Sequence, residues 1–183
     1  MNPEESKRIF QLEYAMSQHQ HNGLESASLR SQDWQQVGLL VLPAAATSIS
    51  VTIPAKRFLK IILSWGAKSG VSEDYLRFNS DSGNNYTTTT GVSQGQIDIR
   101  NAANSALGGF SIIEVANNVP GIVKPVFIRT VNRITSAGTA ISSYQLFACW
   151  VNTALPITTI GLISSNTQTY PADSLLLCLA SKE

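Results

Sequence analysis

Charge is what this sequence has least of. Only 14% of its 183 residues are Asp, Glu, Lys or Arg, against about 25% in an ordinary soluble domain. The formal net charge is +1, so the broad basic field of a nucleic-acid binder is missing. No apolar run reaches the 18 residues that a membrane-spanning helix needs. The opening MNPEESKR has no basic stretch leading into an apolar one, so no secretory signal is expected. The two cysteines, Cys149 and Cys178, sit inside apolar strand patterns, which points to buried free thiols rather than a disulfide. The sequence G-x-x-x-x-G-K-S/T is absent, which removes one common phosphate-binding signature.

Small polar residues, with Ala and Gly, fill the space that charge leaves. The charges that exist are uneven. Glu4, Glu5, Lys7, Arg8, Glu13, Glu25, Arg30 and Asp33 all fall in the first 34 residues, with both histidines. Residues 3–18 read as a helix. Asn2 suits the N-cap, Pro3 the first helical position, and Glu5 completes a capping-box variant. Ile9, Leu12 and Met16 recur at i, i+3 and i+7, and Phe10 and Tyr14 widen the apolar face. That face packs either on the protein's own body or on a partner, because so short a helix is marginal alone. Gly23 and Asn22 stop the helix. The polar residues 24–36 read as an extended arm or a second short helix ending near Trp34.

From Val37 the pattern changes to period two or to short apolar runs. Strands are expected at 38–42, 48–53, 58–65, 75–78, 86–90, 96–100, 110–115, 123–131, 144–151, 158–164 and 174–180. Val, Ile, Thr, Tyr and Phe enrich them, and Gly, Asn, Ser and Pro separate them. No helical pattern lies between them. The expected fold is mainly β: an antiparallel, jelly-roll-like β-sandwich over 37–183, preceded by an α-helical and extended arm over 1–36.

The stretch RFNSDSGNNYTTTT (77–90) raises the question of a ligand loop. Read as a calcium loop from Asn79, it places Asp81 at position 3 but Gly83 at 5, Asn84 at 6 and Thr90 at 12. An EF-hand needs an oxygen ligand at 5, glycine at 6 and a bidentate Glu at 12. A glycan contact would use Asp81, Asn84 and Asn85 for hydrogen bonds and Tyr86 or Trp65 for stacking. The simpler expectation is a hairpin turn held by Asp and Asn side chains. His19 and His21 form an H-x-H pair. On an extended segment both imidazoles point to one side. One chain supplies two ligands, too few for zinc, but three chains about an axis would supply six, enough for an octahedral transition metal. The plain alternative is two solvent-facing histidines in a turn.

Four segments resemble tailed-phage virion proteins that join an N-terminal attachment arm to a C-terminal β-sandwich. They are QHQHNGLESASL (18–29), IPAKRFLKIIL (53–63), LRFNSDSGNNY (76–86) and ITTIGLISSNTQTYPADSLLLCLA (157–180). In the last, Asp173 stands at the usual Gly and Leu179–Ala180 at the usual Tyr-Gly. The resemblance implies a trimer, and H-x-H pairs in trimeric tail fibres chelate iron.

The expected function is therefore non-enzymatic: a capsid decoration or cement protein of the virion, homotrimeric, without nucleic-acid or membrane partners. It would dock on capsid or tail proteins through Ile9, Phe10, Leu12, Tyr14 and Met16. The alternative is a tail fibre or receptor-binding appendage that reads host surface glycans.

Overall fold

The computed structural model describes residues 34–70, 72–89, 93–99, 108–117, 121–132 and 142–182. The expected helix at 3–18 and the arm as far as Asp33 lie outside these residues. Among the described residues, twelve strands follow in chain order: Trp34–Val41 (β1), Ser48–Thr52 (β2), Phe58–Trp65 (β3), Asp74–Phe78 (β4), Tyr86–Thr88 (β5), Ser93–Gln94 (β6), Ile97–Asp98 (β7), Gly109–Ala116 (β8), Lys124–Asn132 (β9), Ser142–Trp150 (β10), Thr159–Ser164 (β11) and Leu175–Ser181 (β12). A 3-10 turn, Ser165–Thr167, precedes β12.

All pairings among these strands are antiparallel. One sheet has eight strands in the order β1-β12-β3-β8-β9-β10-β5-β6, and the other has four in the order β2-β11-β4-β7. Both sheets send side chains into one hydrophobic core, an arrangement that fits a β-sandwich. The mainly β, antiparallel expectation holds.

The alternation that builds this core is clearest in the small sheet. Leu76 and Phe78 of β4 and Ile160 and Leu162 of β11 point inward and are fully buried. Their outward neighbours are Tyr75, Arg77, Thr159, Gly161 and Ile163, and β2 adds Ser48, Ser50 and Thr52. The large sheet is different. In β3, Leu59, Ile61, Leu63 and Trp65 fill the core, yet Phe58 and Ile62 face outward. In β12, Leu176, Cys178 and Ala180 fill the core while Leu175, Leu177 and Leu179 face outward. Strands apolar on both sides belong to sheets covered on both sides.

All eleven expected strands are present. β6 is an addition; two residues carry no periodic signal. Residues 34–36, assigned to the arm from sequence, belong to β1, whose pairing with β12 is irregular between Gln36 and Gly38. Gly38 of β1 lies close against the side chains of Val51 and Ile53. A Cβ there would sit 2.8 Å from Ile53 Cγ2 and 2.9 Å from Val51 Cγ2, so only glycine lets the chains approach this way. Two polar side chains that enter the core are matched to each other. Ser111 and Thr130 share a 2.7 Å hydrogen bond, and the Thr130 hydroxyl also bonds the Ile99 carbonyl at 2.8 Å.

Candidate functional site

The expected hairpin between 75–78 and 86–90 is not one. β4 belongs to the small sheet, whereas β5 pairs with β10 and β6 in the large sheet. The connection carries the chain from one sheet to the other. It begins with a tight turn in which Asp81 N–H donates to the Phe78 carbonyl at 2.9 Å. Asn79 and Ser80 both have positive φ, 52° and 56°, the requirement at the two central positions of a type I′ turn. Asn tolerates this conformation, and its side chain adds a second function. Asn79 Oδ1 accepts from the Thr158 and Thr159 N–H groups at 2.8 and 2.9 Å, while Nδ2 donates to the Pro156 carbonyl at 2.8 Å. One side chain thus holds the entry to β11.

Asp81 is the hub of the second half. Trp150 Nε1 donates to Oδ2 at 2.8 Å, Gly83 N–H to Oδ1 at 2.9 Å, and Asn85 Nδ2 reaches both oxygens at 3.2 and 2.9 Å. Burial alone would raise the Asp81 carboxyl, but the donors from Trp150, Asn85 and Gly83 outweigh it and hold it below its ordinary value. A carboxylate so fully engaged inside the chain is a fastener. It is not poised to accept a proton or a ligand hydroxyl.

The aromatic partners expected for a glycan are placed elsewhere. Trp65 is 2% exposed and Tyr86 is fully buried, so neither ring offers a stacking face. The sequence reading is corrected here for both. Tyr86 stacks near Trp150 with 6.5 Å between centroids, and Phe78 lies 5.8 Å from Trp150. The Tyr86 hydroxyl accepts from Phe78 N–H at 2.9 Å and lies within donating reach of the Phe78 and Asp81 carbonyls. Burial, with the Asp81 charge adding to it, pushes its pKa to about 12, so it stays protonated. Lys124 Nζ covers the Trp150 ring at 5.0 Å from the centroid. Asn85 is half-buried and committed to Asp81, and of the polar residues proposed for a sugar contact only Asn84 is exposed.

A second cluster was not legible in the sequence. Lys68, Asp74, Ser72, Ser164 and Tyr170 meet inside the body, each no more than 6% exposed. Lys68 Nζ pairs with Asp74 Oδ1 and donates to Ser72 Oγ at 2.8 Å and Ser164 Oγ at 3.1 Å. Tyr170 donates its hydroxyl proton to Asp74 Oδ1 at 2.6 Å, and its ring lies 4.2 Å under Lys68 Nζ. A lysine beside two serines suggests a nucleophile and its base. Here the amine is paired with a carboxylate, and both side chains are closed to solvent. Its role is to tie the 68–74 segment to β11 and to Tyr170.

Both cysteines are free: Cys178 is buried and Cys149 half-buried. Burial pushes the Cys178 thiol up to about 12. His19 and His21, and the docking residues Ile9, Phe10, Leu12, Tyr14 and Met16, lie outside the described residues. Among the described residues no group of three or more His, Cys, Asp or Glu side chains is arranged to hold a metal ion, and no helix is long and apolar enough to cross a membrane. No protein-family model, curated protein or solved structure matches this chain.

Proposed function

We propose that this chain is a non-enzymatic structural protein of a tailed-phage virion, a trimeric capsid decoration or cement subunit with a jelly-roll-like body and a helical docking arm. One observation carries the assembly role. The side chains that could do chemistry at 68–86 are engaged with one another inside the body, while the outer face of the larger sheet is apolar. A surface of that kind suits protein contact. The phage assignment is supported by the resembling segments, three of which fall on described parts that organise the fold. IPAKRFLKIIL leads into and forms β3, LRFNSDSGNNY forms the crossing between sheets, and the 157–180 segment covers β11 and most of β12.

In this reading the segment before Trp34 attaches the protein to the particle through Ile9, Phe10, Leu12, Tyr14 and Met16. Each apolar side chain buried there contributes about 1.5–3 kcal/mol before ordering costs. Three copies of His19 and His21 about an axis would supply six imidazoles for a transition metal, which elemental analysis of the purified protein would reveal. The deciding experiment follows the full-length chain into particles. Wild-type protein should co-purify with capsids through a density gradient at a fixed ratio. The Leu12→Asp/Met16→Asp variant should stay folded and remain at the top. A wild-type chain that never enters particles ends the proposal.

A further inference from the structure

The two sheets present opposite kinds of outer surface. Strand register shows what lies on each. Across the small sheet, Ser50 faces Gly161, which faces Arg77. Across the large sheet, one row runs Leu39, Leu177, Ile62 and Ile112 over four strands. Beside it Phe147 is 61% exposed and stacks on Phe127 at 4.7 Å.

Charge on this face is arranged to be buried. Lys60 and Arg129 both reach Glu114 at 3.3 Å, from either side. Lys60 also lies over the Trp34 ring at 4.8 Å, and Arg129 over Phe127 at 5.1 Å. Each cation therefore has a carboxylate and an aromatic face within the same surface. Such groups keep partners when water leaves, whereas an isolated charge would oppose docking.

Size decides between a chance patch and an interface. Six strands (β1, β12, β3, β8, β9 and β10) at about 4.8 Å, and four rows of outward side chains at about 6.8 Å, span roughly 750 Å². A standard interface buries about 800 Å² on each partner. The face carries both signs of charge within one ion-paired group, so it has no demand for an acidic or a basic partner. It complements another copy of itself.

We propose that the outer face of the eight-stranded sheet is the contact through which copies of this chain assemble. This deepens the reading above by naming the surface that joins subunits, and it can fail separately. Particle incorporation tests the virion role, and the mass of the purified chain in solution tests this face.

The experiment is sedimentation equilibrium with light scattering on the full-length chain at micromolar concentration. Wild type should have the mass of a dimer or trimer. Ile112→Glu should weaken assembly by about 100-fold or more, and Ser50→Glu on the polar sheet should leave it unchanged. Phe147→Ser is the second probe. Its side chain is mostly outside the core, so it reads the interface if Ile112→Glu also disturbs folding, and it should weaken assembly by about 10-fold. A monomeric wild-type chain overturns the proposal, since something other than a second copy then covers the face. An oligomer that neither Ile112→Glu nor Phe147→Ser weakens overturns it equally.

Discussion

Replacing Asp81 by Ala tests whether the crossing between sheets is held from inside. The substitution leaves Trp150 Nε1 without its acceptor, and Trp150 is fully buried. A hydrogen bond to a charged group contributes about 1.5–3 kcal/mol, and stranding the buried Trp150 donor costs about 2 kcal/mol. The Gly83 and Asn85 donors are nearer water and regain partners there, so they add about 0.5 kcal/mol each. The expected loss is about 3 kcal/mol. With a urea slope of about 2 kcal/mol/M, the midpoint should fall by about 1.5 M, followed by tryptophan fluorescence. Asp81→Asn keeps an acceptor and should lose about 1 kcal/mol. The charge also gives a pH signature. The folded-state pKa lies below the ordinary 3.8, so the folded form binds fewer protons than the unfolded form between the two values. The Asp81 contribution is therefore complete above about pH 4 and disappears as the pH falls through the folded pKa. Asp81→Asn should show a flatter midpoint between about pH 5 and pH 2. If Asp81→Ala stays within about 0.5 kcal/mol of wild type, the side chain is not a fastener.

Other substitutions probe the remaining joints. Asn79→Ala removes the acceptor for two backbone N–H groups and leaves a positive φ on alanine; it should cost about 2–4 kcal/mol in urea unfolding. Lys68→Met strands the buried Asp74 carboxylate and should cost about 3–5 kcal/mol, with Lys68→Met/Asp74→Asn recovering part of that loss in a double-mutant cycle. Gly109→Ala should lower thermal stability by about 1–3 kcal/mol, since its Cβ would sit 2.8 Å from Trp65 Cε2 and 2.9 Å from Cη2. Cys178, protonated and buried, should resist alkylation in the native protein and react in urea, as mass spectrometry would show.

The strands were readable because each of the longer ones sets apolar residues at every second position against turn residues on either side. Tyr75-Leu76-Arg77-Phe78 is legible in this way without any knowledge of its neighbours. The loop after it was readable as a turn, since Asn, Ser, Asp and Gly supply positive φ and local hydrogen bonds. Its destination was not. Nothing in NSDSGNN distinguishes a return to the same sheet from a step to the other one, because that choice is made by the pairing of β5 with β10, some 60 residues later. The same limit misplaced Trp65 and Tyr86. An aromatic at the border of a polar loop has one face for water and one for the core, and the register of its strand decides between them. The Lys68 cluster joins residues 96 positions apart, Lys68 with Ser164 and Asp74 with Tyr170, so no local window contains it. The outer leucines of β12 did carry a signal. LLLCLA fails to alternate, and a run without alternation is already a statement about two buried sides.

The position of β12 has a consequence for synthesis. This strand is the last of the twelve in sequence, yet it lies between β1, the first, and β3. During translation, β1 and β3 emerge before the strand that pairs with both of them. Contacts so distant in sequence slow folding, and the open strand edges of the incomplete sheet are sites of wrong pairing. A ribosome stalled before Leu175 should therefore hold a protease-sensitive chain, and the outer surface of the large sheet is finished only when its C-terminal strand slides into place.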